Sequence, residues 1–266
     1  MPTAIQQFTI DAFTDEVFKG NPASVCLLND WLDDDILLNI AKENNLSETA
    51  FVVPKDDEFL LRWFTPKCEI NLCGHATLAT AFALHLALAD CPKVLKFHTK
   101  SGVLAVEKVD DKLLMDFPIF HLTKIDDIKP ISDILGVMPS EVYLGRDLLC
   151  VFDDENIVKN YQNDDDKIAQ LDGALCHFTA KSTDKQFDCI SRSFAPKVGI
   201  SEDPVCGSAH CHIFPYWADK LAKKSLIGFQ ASSRTGILYG EMKGDRILLG
   251  GQAVLFAKSE IYIKSQ

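Results

Sequence analysis

One pattern occurs twice in this chain, and it limits the folds open to it. Arg62-Trp-Phe-Thr-Pro-Lys67 and Arg192-Ser-Phe-Ala-Pro-Lys197 share R-x-F-x-P-K. Each runs on into E-x-x-x-C-G-x-A, at Glu69…Cys73-Gly74-His75-Ala76 and at Glu202…Cys206-Gly207-Ser208-Ala209. Ordered matches across two adjoining motifs point to duplication. They predict an α+β chain of two pseudo-twofold-related lobes, each a strand, a loop and then a central helix, with ligand held in the cleft where equivalent loops face each other. The expected lobes are 1–120, with the last strand at about 252–266 crossing back, and 121–251.

Hydrophobic patterning fills in the elements. Asp33 to Asn45 has aspartates in its first turn and apolar residues at helical spacing, so it reads as a helix. The run Gly74 to Asp90, "GHATLATAFALHLALAD", is apolar nearly all round, which predicts a buried central helix. A second helix is expected from Gly207, with Pro215 kinking it. "QFTIDAFT", "ASVCLL", "TAFVVP", "FLLRWF", "VLKFHT", "GVLAVEKV" and "KLLMDF" read as strands of the first lobe. "DLLCVF", "ALCHFTA" and "FDCISRSF" restart the pattern, with short helices around Ile131–Gly136 and Asp165–Leu171.

A chain of 266 residues with 47% hydrophobic residues can bury a proper core. Its formal net charge of −11 argues against nucleic acid and anionic membrane surfaces as partners. The first residues lack the basic and apolar regions of a signal peptide, and no apolar stretch reaches the ~18 residues of a membrane span. The nine cysteines are odd in number and scattered, so they read as free thiols of a cytoplasmic protein.

A thiol at a helix N-terminus sits beside unpaired N–H groups and the positive end of the dipole, which predicts a lowered pKa for Cys73 and Cys206. The same amides suit a substrate carboxylate, and Gly74 and Gly207 let the backbone approach it closely. Two such groups on opposite faces of one carbon would deprotonate on one side and reprotonate on the other, with no metal or coenzyme. The alternative for each Cys-Gly is tight packing. Glu48, in "NNLSETAFVV", is a third acid–base candidate. Asp203, held extended before Pro204, either orients substrate or begins a turn.

Together, "DAFTDEVFKGNPASV", "NLSETAFV", "RWFTPKCEINLCGHATLATA", "EDPVCGSAHC" and "RTGILYGEMKGDRILLGGQAV" resemble the phenazine-biosynthesis PhzF-like family nearly end to end. That family shares the fold of diaminopimelate epimerase, which implies two similar lobes, each a β-barrel-like sheet around a central helix. The resemblance implies a cofactor-independent isomerase that moves a proton on a small carboxylate, either amino acid-like or a cyclic dihydro-hydroxy acid. Glu48 matches the family's proton-transfer glutamate. His75, Asp203 and Ser208 match substrate contacts, and Asn21, Gly74 and Gly207 fall at the same surface. Cys73 and Cys206 match the epimerase's two bases instead, so a two-thiol racemase or epimerase is the competing mechanism. A homodimer is the expected candidate assembly.

Two further alternatives stand beside these. Cys206, His210, Cys211 and His212 are close in sequence, but the last two project elsewhere on the helix, so no metal is expected. A non-catalytic binding or scaffold protein could also keep an old cleft.

Overall fold

The structure, a computed structural model, describes residues 3–263. The chain forms two compact units, Met1–Asp116 together with Gly250–Gln266, and Phe117–Leu249.

In the first unit β1 (Thr3–Ala12) pairs antiparallel with β2 (Asn21–Leu27). After α1 (Asp34–Asn44), β3 (Glu48–Lys55) returns parallel to β2. Next, β4 (Glu58–Phe64) runs antiparallel to β3 and carries the short β5 (Glu69–Ile70). The helix α2 (Gly74–Ala87) then leads to β6 (Val94–Thr99), parallel to β4, and on to β7 (Gly102–Val109) and β8 (Lys112–Pro118).

The second unit repeats the plan. It begins with β9 (Thr123–Ile125), α3 (Lys129–Leu135), β10 (Glu141–Leu144) and β11 (Leu148–Phe152). Two short helices, α4 (Glu155–Asn160) and α5 (Asp165–Ile168), precede β12 (Cys176–Lys181), which is parallel to β11. Then β13 (Cys189–Ala195) is antiparallel to β12 and carries β14 (Ile200–Glu202). The helix α6 (Gly207–Leu221) leads to β15 (Ser225–Gln230), parallel to β13, and on to β16 (Gly236–Lys243) and β17 (Arg246–Gly251). The last strand, β18 (Ala253–Ile263), returns to the first unit and pairs along the whole length of β1.

Packing explains the patterning. The helix α2 touches β1, β2, β3, β7 and β18, so the sheet of the first unit wraps around it. That is why it is apolar all round. It stops at Ala87, short of the expected Asp90, where Leu86 and Leu88 emerge from the core about half exposed. The other face of β2 and β3 is covered by α1, through Cys26, Phe51, Leu37 and Ile40. Strands buried on both faces read as continuous apolar runs rather than alternating ones. In the second unit α6 runs unbroken through Pro215. Its Phe214 ring lies so close to Gly240 that an added Cβ would sit 2.3 Å from it, which only glycine avoids. Among the described residues no helix is long and apolar enough to cross a membrane.

The duplicated residues do the same job in both units. Arg62 on β4 donates from Nε and Nη2 to the two carboxylate oxygens of Glu69, each at 2.8 Å. Arg192 on β13 donates in the same manner to Glu202, at 2.7 and 2.9 Å. Each guanidinium also lies over the phenylalanine two residues on, Phe64 or Phe194, at 5.1 and 5.0 Å. A bidentate pair of this kind fixes direction as well as distance. It ties the end of a strand to the loop that carries the cysteine.

Candidate active site

Cys73 is the N-cap of α2 and Cys206 the N-cap of α6, both with extended backbone. Each sulfur has a polar partner two residues on. Cys73 Sγ lies 3.5 Å from His75 Nδ1, and Cys206 Sγ lies 3.4 Å from Ser208 Oγ. The two loops thus share a frame and differ in chemistry.

In the first unit Glu48, the first residue of β3, comes beside His75. Its Oε2 lies 3.1 Å from Nε2, off the line a hydrogen bond needs, so neither atom has a hydrogen-bond partner among the described residues. Both side chains are buried, with Glu48 8% and His75 9% exposed. A buried, unmet donor or acceptor costs about 1–3 kcal/mol, so the arrangement suits a ligand that completes it. Burial works to lower the His75 pKa, but Cys73 and Glu48, one at each ring nitrogen, outweigh it and hold the ring well above its ordinary value. Asn21, the first residue of β2, is buried in the same unit.

Glu48, Cys73 and His75 are also the one group among the described residues whose donor atoms, all within 4.8 Å, could hold a metal ion. Yet the imidazole turns Nδ1 to Cys73 and Nε2 to Glu48. One ion could use only one ring nitrogen, so this layout fits a proton relay better than a chelate.

The thiols depart from the sequence expectation. Burial pushes the Cys73 thiol up, with Glu48 adding to the rise, and His75 offsets only part of it. Burial pushes Cys206 well up too, with the Asp203 carboxylate adding to it and Ser208 opposing. Desolvation of a thiolate in a nearly sealed site outweighs the helix amides. An expected consequence is that iodoacetamide at pH 7 modifies the exposed Cys68 at least ~10-fold faster than Cys73 or Cys206, read by peptide mass spectrometry.

In the second unit, Asp203 turns its Oδ1 onto its own loop at Val205 N, 3.2 Å away. Gln230, fully buried on β15, pins the loop by accepting from Cys206 N at 2.9 Å and donating to Asp203 O at 2.7 Å. The two histidines and the other thiol of α6 have partners of their own. His210 Nδ1 meets Cys206 O at 2.8 Å, Cys211 Sγ meets the Gly207 carbonyl, and the His212 ring lies tilted against Phe120 with its Nε2 3.3 Å from Asp147.

Beneath Ser208 lies a network that the motifs did not reveal. Arg146 Nη2 donates to Ser208 Oγ at 2.9 Å, and Nε and Nη2 both bond the Asp147 carboxylate. Asp147 is fully buried and also receives His177 Nε2 at 3.0 Å and Leu175 N at 3.3 Å. Burial alone would raise its pKa, but His177, His212 and Arg146 hold it far below the usual carboxylate range. His177 itself is shifted down by burial, so we read it as a neutral ring that donates to Asp147 and accepts from Ser193 Oγ at 3.1 Å. The only sequence trace of this network is an adjacent Arg-Asp in a turn.

Residues 10–259 match the family model of the phenazine biosynthesis-like proteins, PhzC-PhzF. An isomerase of Pseudomonas aeruginosa, described as uncharacterised, is 45% identical over 257 residues, covering 96% of this chain and 98% of that protein. The crystal structure of a PhzF-family protein from Enterococcus faecalis superposes with a TM-score of 0.95 at 45% identity, over 98% of this chain and 100% of that one. A hydroxyproline epimerase from Agrobacterium vitis shares the fold alone, with a TM-score of 0.60 at 8% identity over 98% of this chain and 93% of that one. The expected α+β, epimerase-like fold is therefore the observed one, and the scaffold alternative gives way. The chain belongs to the phenazine biosynthesis-like PhzC/PhzF family, and it is an isomerase.

Proposed function

We propose that the reaction is a cofactor-independent proton shift on a small carboxylate, with Glu48 as the proton-transfer group. The observation that carries this reading is the buried Glu48–His75 pair, two ionisable side chains 3.1 Å apart with unmet hydrogen-bonding capacity. Glu48 takes the proton from a C–H next to an electron-withdrawing group. The electron pair shifts along the conjugated substrate, and the proton returns at a second carbon, so no net oxidation occurs. His75, with Nε2 3.1 Å from Glu48 Oε2, steadies the carboxylate of Glu48 and donates to the developing oxyanion. Asp203, Ser208, Asn21 and the helix-start glycines Gly74 and Gly207 are the proposed substrate contacts. The test is a screen of amino acids and cyclic unsaturated carboxylates in deuterium oxide. Catalysed deuterium incorporation supports the reading, and no exchange into any of them counts against it.

A second reading keeps the thiols. It is favoured by the placement of Cys73 and Cys206 as equivalent N-caps of α2 and α6. A two-base racemase or epimerase predicts that Cys73→Ser and Cys206→Ser each lose stereoinversion while retaining exchange from one face. Chiral chromatography of the product checks this, and unchanged inversion in either variant removes the thiols from the mechanism.

A further inference from the structure

The two units match residue for residue through their strand registers, and the match isolates one side chain. Phe51 on β3 lies opposite Arg62 and Cys26, and Phe178 on β12 lies opposite Arg192 and Cys150. Aligning the two duplicated arginines therefore aligns Cys26 with Cys150. Counting back along the strands, Glu48 falls at the place of Leu175, and Arg146 at the place of Pro22. Apart from Asp147, which takes the place of Ala23, each half keeps at these places one ionisable group that the other lacks. In the first it is a carboxylate beside His75, and in the second a guanidinium beside Ser208.

We propose that Arg146 is a positioning residue that fixes the Ser208 hydroxyl as a hydrogen-bond donor, toward Cys206 or toward a bound substrate atom in its place. This rests on the reading that Cys206 and Ser208 belong to the site. A guanidinium has only donors, so its bond to Ser208 Oγ consumes a lone pair and leaves the hydroxyl proton free to point away. The other polar contact of that hydroxyl is Cys206 Sγ, at 3.4 Å. The arginine cannot easily swing off. Asp147 holds it through two nitrogens, and its Cζ sits 4.6 Å over the Phe120 ring, which in turn packs tilted against His212 at 4.8 Å. The pair across the chain, Arg146 and Ser208, lies 62 residues apart in sequence. Of the charged groups bearing on Cys206, Asp203 disfavours the thiolate, so the Ser208 donor is the side-chain interaction that opposes it.

The test reads the thiol directly and needs no substrate, so it stands whether or not Glu48 proves to be the base. The rate of iodoacetamide alkylation of Cys206 at pH 9, resolved by peptide mass spectrometry, is compared in wild type, Arg146→Met, Arg146→Lys, Ser208→Ala and the Met/Ala double variant. Losing the oriented donor removes thiolate, so Arg146→Met and Ser208→Ala should each slow Cys206 by about tenfold, one pKa unit's worth. The double variant should be no slower than either, Arg146→Lys should recover part of the rate, and Cys73 in the same samples should not change. A purely structural arginine predicts the opposite sign, because loosened packing exposes Cys206 and speeds its alkylation. An unchanged or faster rate, additive effects in the double variant, or a wild-type Cys206 that does not react at all would each overturn the proposal.

Discussion

Glu48→Gln is expected to lower catalysed proton exchange at least ~100-fold while the protein keeps its fold. Glutamine preserves the shape at the start of β3 and removes only the base. The carboxylate is buried beside His75 Nε2 and pairs with nothing else among the described residues, so little structure depends on its charge. The variant should therefore melt within a few degrees of wild type. A second readout ties the effect to the pair. Glu48 is one of two groups that hold the His75 pKa up against burial, so the substitution should move the ring's titration, followed by NMR, to lower pH. Full exchange activity in Glu48→Gln would pass the proton-transfer role to the thiols.

The largest expected effect on stability belongs to Asp147. Its carboxylate is fully buried and accepts from Arg146, His177 and the backbone of Leu175. Asp147→Asn keeps the volume but turns an acceptor-only group into one that faces donors with donors. It also leaves the Arg146 charge without its counter-ion. Arg146 is exposed and its charge keeps its hydration, so the cost is that of the buried donors left unmet, His177 among them, about 1–3 kcal/mol. Urea unfolding followed by tryptophan fluorescence in a Trp31→Phe/Trp63→Phe background, so that it reads Trp217, whose indole is buried against Thr179 in the same unit, checks this. The pH dependence has a definite sign. The Asp147 pKa is depressed in the folded protein, so its contribution is fully present above the unfolded value of about 3.9 and is lost as pH falls below it. The stability gap between wild type and Asp147→Asn should hold from neutral pH down to about pH 4 and then narrow. A gap that stays constant down to pH 2 would mean that the aspartate charge is not what stabilises the unit.

Much of this was legible in the sequence because it is local or repeated. The apolar run after Cys73 could only be a buried helix, and α2 starts at Gly74 as read. The same motif at Cys206 gave the start of α6. The helix between Asp33 and Asn45 has those two residues as its caps. Less was legible where an element is short and held by its neighbours. The strands β5, β9, β10 and β14 are two to four residues long and the helix α4 six, too few for a periodic signal. They exist because other strands and the core below supply their bonds and contacts.

By itself the sequence determined the duplicated frame. An arginine and a glutamate recur at matched places in each copy, and each pair closes into the same bidentate bridge that presents a cysteine at a helix start. Only the tertiary structure decided what those cysteines meet. Helix-end electrostatics, which can be read from sequence, predicts lowered thiol pKa values. Burial, which cannot, reverses the direction at both. Likewise Glu48 reaches His75 because β3 and α2 pack in one unit, and Arg146, Asp147, His177 and Ser208 converge from three separate elements. Desolvation and charge pairing depend on what surrounds a group in space, and residues tens of positions apart supply those surroundings.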